Sequence, residues 1–138
     1  MELQAHSECY LIHADPQHGC VVRELLDDYF VSNKVERALL LRVQCNEERA
    51  SAAIAFVREQ SVAARKFDNT FRYGAGEGVY CTELVLRAWS KANVELLPNV
   101  RNGDRIFPSR LLESGCIHPI SGCRGVVMST IHDMKQGE

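Results

Sequence analysis

The sequence predicts a single domain of mixed α and β class, with short strands near its start and two long helices after them. Three observations predict it. Apolar runs of strand length crowd the first part of the chain, an alanine-rich stretch with a helix cap follows, and a second amphipathic stretch opens after a glycine-rich loop. The 138 residues, 46% of them apolar, are enough to bury one ordinary core across residues 1–138.

Each element has its own signal. "ECYLIHA", residues 8–14, is an apolar run bounded by the turn signal "DPQHG", which reads as a strand. "CVVREL" reads as a second strand, and "LLDDYF" adds one helical turn. "ALLLRVQ", residues 38–44, is a continuous apolar run suited to a buried strand. Asn46 is a good N-cap, and Glu47 and Glu48 suit the positive end of a helix dipole. Ala50, Ala53, Ile54, Val57, Ser61 and Ala64 recur at helical spacing, and the helix is expected to end around Arg65 and Lys66. "FDNTFRYGAGEG" is an aromatic and glycine-rich loop. The second helix is expected over 81–93, with Cys81, Leu84, Val85, Ala88, Trp89 and Ala92 on one face and Asn93 as terminator. A short helix opened near Pro108 and a last strand in "CRGVVMSTIH" complete the chain.

Composition narrows the function classes. A net charge of -2 without a basic block argues against nucleic acid or anionic membrane as the main partner. No apolar run approaches the roughly 20 residues that span a bilayer, and "MELQAHSECY" lacks the regions of a signal peptide. The six cysteines, Cys9, Cys20, Cys45, Cys81, Cys116 and Cys123, form no C-x-x-C pair and have no histidine at zinc-finger spacing. Reduced thiols, a cytoplasmic setting and no metal or cofactor are therefore expected.

Cys81 stands apart from the other five. It sits in the first turn of a helix, where orphan N–H groups and the dipole stabilise a thiolate or a developing oxyanion. One reading makes it a nucleophile; the other makes it the first residue of a packed stripe. A nucleophilic cysteine needs a base, usually histidine, held by a third polar group. His13, at the end of the first strand, and His6, in the same strand or the segment leading into it, are the candidates. His18 reads as a turn residue, His118 as a loop residue before Pro119, and His132 as part of the carboxyl end. Tyr80, Glu83 and Tyr73 are candidates to line the site, although Glu83 also suits the first turn through the dipole alone.

In order, "YLIHADPQHGCVVRELLDDYF", "ALLLRV", the alanine-rich helix, "KFDNTFRYGAGEGVYCTELVLRAW" and "IFPSRLLESG" resemble the permuted papain-like amidases. These form the circularly permuted branch of the NlpC-type cysteine peptidase superfamily (YiiX-like or YebB-like). The most specific piece is Tyr80 to Val85, followed by Trp89. The resemblance implies a papain-like α+β fold, with a small antiparallel sheet packed against two main helices. It implies a hydrolase or acyltransferase in which Cys81 attacks an amide, ester or thioester carbonyl of a peptidoglycan-type peptide or an acyl lipid. His13 matches the orienting position, which relatives usually fill with glutamate. In relatives the base lies on an earlier strand, and counting back from His13 runs off the amino end. Three explanations stay open: the chain is truncated and lacks the base, His6 supplies it through a shortened hairpin, or His13 is itself the base. The alternative function is a catalytically inactive papain-like binding or assembly module. Missing first strands would leave an open sheet edge, so a homodimer is expected.

Overall fold

A tight turn organises the first part of the chain. In the computed structural model, which describes residues 9–36, 38–39 and 41–119, Gly19 takes φ +74° and its N–H donates to the Asp15 carbonyl at 2.8 Å. A left-handed conformation of this kind suits glycine, which has no Cβ to clash. The Asp15 carboxylate also accepts the Gln17 N–H at 3.0 Å. The turn joins β1 (Tyr10–Asp15) to β2 (Cys20–Leu25) as an antiparallel hairpin, in register from Asp15 opposite Cys20 to Tyr10 opposite Leu25.

Strand alternation then decides what each side chain meets. Leu11 and His13 face α1 (Leu26–Ser32), where Leu11 packs with Leu26 and Tyr29. Ile12, Ala14 and Val21 point the other way, into a cluster with Phe67, Val79, Tyr80 and Leu84. Residues 65–68 widen the hairpin. The Val21 N–H donates to the Arg65 carbonyl, the Phe67 N–H to Gly19, and the Val79 N–H to Lys66, so that Val79 forms the next ribbon outward.

The long helix α2 (Glu47–Val62) starts as its cap predicts, with Asn46 Oδ1 accepting the Arg49 N–H at 2.8 Å. It ends earlier than the cations suggest. Ala64 turns to φ +51°, and Arg65 and Lys66 are extended backbone whose carbonyls serve the hairpin ribbon. Of the proposed small-residue face only Ala53 is fully buried. α3 (Cys81–Lys91) packs along α2, and Asn93 ends it at φ +65°. Leu86, Trp89, Leu96, Leu97, Ile106 and Leu111 make the main core with Leu41 and Val43. Each large apolar side chain so buried contributes roughly 1.5–3 kcal/mol.

The second sheet is smaller. β3 (Leu41–Val43), shorter than the apolar run around it, pairs antiparallel with β4 (Ile117–Pro119). His118 therefore lies in a strand, opposite Arg42, and not in a loop. A 3-10 helix, Pro108–Glu113, precedes β4. The strand expected in "CRGVVMSTIH", together with His6, Cys123 and His132, lies outside the described residues. The described residues thus form an α+β arrangement with small antiparallel sheets. Among them, no helix is long and apolar enough to cross a membrane.

Candidate functional site

Cys81 is the first residue of α3, and Tyr80 is its extended N-cap. The cysteine is half-buried, with Sγ 4.0 Å from the Thr82 hydroxyl. The first N–H groups of any helix have no acceptor inside it.

What fixes the helix start is Glu83, which is completely buried. Its Oε1 accepts the Tyr80 N–H at 3.3 Å, and its Oε2 accepts the Gly74 N–H at 2.9 Å. Arg87, one helical turn on, reaches the same Oε2 through Nε and Nη2, each at 3.0 Å. A buried carboxylate is tolerated only when paired and hydrogen-bonded in this way. Arg87 also lies over the ring of half-buried Tyr73, 4.6 Å from its centroid. One carboxylate therefore ties the glycine loop to the cysteine helix.

The loop glycines serve that attachment. Gly74 takes φ +69°, and a Cβ there would stand 2.5 Å from the Asn102 side-chain oxygen. At Gly78 a Cβ would meet the Lys66 carbonyl oxygen at 2.6 Å, so the ribbon contact needs a bare backbone. Gly76 faces open space.

Tyr80 is buried as well. Its phenol accepts the Ile106 N–H at 3.0 Å and donates to the Asp104 carbonyl at 3.4 Å. Burial pushes the phenol up to about 12; the Ile106 N–H opposes that, and the nearby charges of Glu83, Cys81 and Asp104 add to it. Phe71 leans on its ring, and Phe67 on Phe71, with centroids 5.7 and 5.6 Å apart. Asp68 begins the loop. Burial pulls its carboxyl upward, but hydrogen bonds from Thr70 and the Arg72 N–H outweigh that and hold it low.

Tyr73, Tyr80, Cys81 and Glu83 thus form one connected group. Tyr80 and Glu83, expected to line a site, have their polar atoms engaged by the protein. His13 has its own set of contacts. It is 5% exposed, its Nε2 lies 2.6 Å from Glu24 Oε2, and its ring meets Tyr29 edge-on at 5.1 Å. These contacts put it on the α1 side of the hairpin, whereas the neighbouring Ala14 packs toward Tyr80 and Leu84. His18 hydrogen-bonds Asp15 through Nδ1, and that bond and its charge raise the imidazole above its usual value. His13, Asp15 and Glu24 bring one ligating atom each to within 4.8 Å of one another.

Three participants escaped the sequence reading. Arg87 was legible as the residue four after Glu83 on one helix face. Glu24 becomes legible once the turn fixes the hairpin register. Asp104 had no local signal. No protein-family model, curated protein or solved structure matches the chain.

Proposed function

We propose that the chain is a cysteine-dependent hydrolase or acyltransferase of the permuted papain-like type, with Cys81 as its nucleophile. The observation that carries this reading is a half-buried thiol at the first position of a helix whose start is braced by a buried carboxylate and a buried phenol. Catalytic thiols gain from such rigid, dipole-facing placement. The thiolate attacks the carbonyl carbon of an amide, ester or thioester, and the oxyanion is held by N–H groups of the first turn. The C–N, C–O or C–S bond breaks and the leaving group takes a proton from an imidazolium. Water, or an acceptor nucleophile, then cleaves the acyl-cysteine and regenerates the thiol.

His13 is held by the Glu24 carboxylate, the kind of polar partner that orients a catalytic imidazole, and the reading keeps His13 and His6 as the candidates for the base. The peptide and acyl-lipid classes are both retained as substrates, and a cytoplasmic setting would keep the thiol reduced.

Iodoacetamide labelling across pH, followed by intact mass and peptide mapping, tests the reading. Cys81 is expected to label ahead of the other thiols with a midpoint well below the about 8.5 of an ordinary cysteine. It should also form an acyl adduct with an activated ester, and whichever of His6→Ala and His13→Ala removes the base should slow that acylation and change its pH profile. Ordinary titration of Cys81 with no adduct would refute the enzyme. That outcome favours the second reading, a binding or assembly module, for which the burial of His13 against Tyr29 is the specific observation. In either role the chain is proposed to associate as a homodimer through the outer edge of β1.

A further inference from the structure

The face of the hairpin that meets α1 carries a cluster of possible metal ligands. His13 and Asp15, two apart on β1, share one face, and Glu24 of β2 lies diagonally across on that face. The Asp15 and Glu24 side chains are only 13% and 28% exposed. Among the described residues, no lysine or arginine pairs with either carboxylate. The Arg23 guanidinium, on the strand that carries Glu24, stacks on Tyr10 on the other face. Two carboxylates held this close repel unless a positive charge lies between them.

We infer that His13, Asp15 and Glu24 form a binding site for a divalent transition metal of the zinc class, with His18 as a fourth ligand. A dication cancels both carboxylates while leaving the imidazoles neutral, which is how they ligate. The donor set, imidazole nitrogen with carboxylate oxygen, suits zinc, cobalt or iron better than calcium. The dimensions also fit. Ligand atoms about 2.0–2.2 Å from a tetrahedral metal stand roughly 3.3 Å from one another. The His13–Glu24 distance of 2.6 Å needs only a small widening, and the remaining separations, all within 4.8 Å, only a modest contraction. His18 already bonds Asp15 from the turn, with its ring exposed. Tyr29 and Leu11 give the site an apolar wall, as the outer shell of a metal site commonly does.

The test is titration of the full reduced chain with Co2+ and with Zn2+ as the probes, because free cysteines offer a rival site and Co2+ tells thiolate from nitrogen and oxygen ligands by absorption. The expected result is one equivalent of Co2+ with visible ligand-field bands and no thiolate charge-transfer band, displaced by Zn2+. Glu24→Gln and Asp15→Asn, which preserve shape on the strands, should each weaken binding by more than about tenfold. His18→Ala should weaken it less, and Cys81→Ser should leave it unchanged. His13→Gln should weaken binding as much as Glu24→Gln; circular dichroism of each variant guards against unfolding, and Glu24→Gln decides if His13→Gln fails to fold. No binding by the reduced chain, a thiolate spectrum, or affinity unmoved by Glu24→Gln and Asp15→Asn would overturn the inference. These outcomes are independent of Cys81 labelling, so either proposal can fail alone.

Discussion

The phenol of Tyr80 closes the bottom of the cysteine helix by accepting the Ile106 N–H and donating to the Asp104 carbonyl. The phenol must stay protonated to donate, and its environment raises it from 10.0 to about 12. Because the folded value lies above the unfolded one, its contribution to stability is complete below pH about 10 and is lost as pH rises through about 12. Tyr80→Phe keeps the ring against Phe71 but leaves the Ile106 N–H without its acceptor. The expected loss is about 1–2 kcal/mol in urea unfolding at neutral pH. The same variant should show a shallower fall in stability between pH about 10 and 12 than the parent chain. An unchanged alkaline limb would mean that another group governs it. His13 makes the complementary point at this scale. The run "LIHA" announced a strand histidine, but which face it occupies depends on hairpin register, which the run alone does not specify.

Among the elements, those set by local chemistry were legible and those set by distant partners were not. The Asn46 cap, the turn after Asp15, and the start of α3 at Cys81 all rest on residues within a few positions of one another. The end of α2 does not. Arg65 and Lys66 look like cations at a helix terminus, yet their backbone is claimed by β2 and Val79, which are remote in sequence. β4 was equally hidden. Its partner β3 lies far back in the chain, and Pro119, having no N–H to give, reads as a loop. The loop-to-helix attachment through Glu83 mixes both kinds of signal, and it makes a prediction. Arg87→Ala would leave a buried carboxylate with two backbone N–H partners and no cation, costing about 3 kcal/mol in urea unfolding. Arg87→Lys should recover only part of this, because one ammonium cannot reproduce the two guanidinium contacts or the stacking on Tyr73. A loss below about 0.5 kcal/mol, typical of an unremarkable surface site, would show that the carboxylate is held by the backbone alone.

At the scale of the whole molecule, the sheet has two unlike margins. On one side, the start of β2 is covered by the ribbon at 65–68 and then by Val79, with the Val21 N–H donating to the Arg65 carbonyl. On the other side β1 pairs, among the described residues, with β2 only. Native sheets usually guard such a margin with charge, proline or a bulge. β1 carries Tyr10, Leu11, Ile12, His13 and Ala14 before its first charged residue, Asp15. Antiparallel pairing of two such strands about a twofold axis would close both margins at once, the self-complementary contact of a C2 dimer. Light scattering across a dilution series should therefore give twice the 15.5 kDa chain mass at high concentration. Hydrogen exchange then separates this mode from any other dimer. The β1 amides directed away from β2 should gain protection as concentration rises, while the amides of α2 stay unchanged. A constant monomer mass, or a dimer that leaves β1 exchange untouched, would move the association away from this strand.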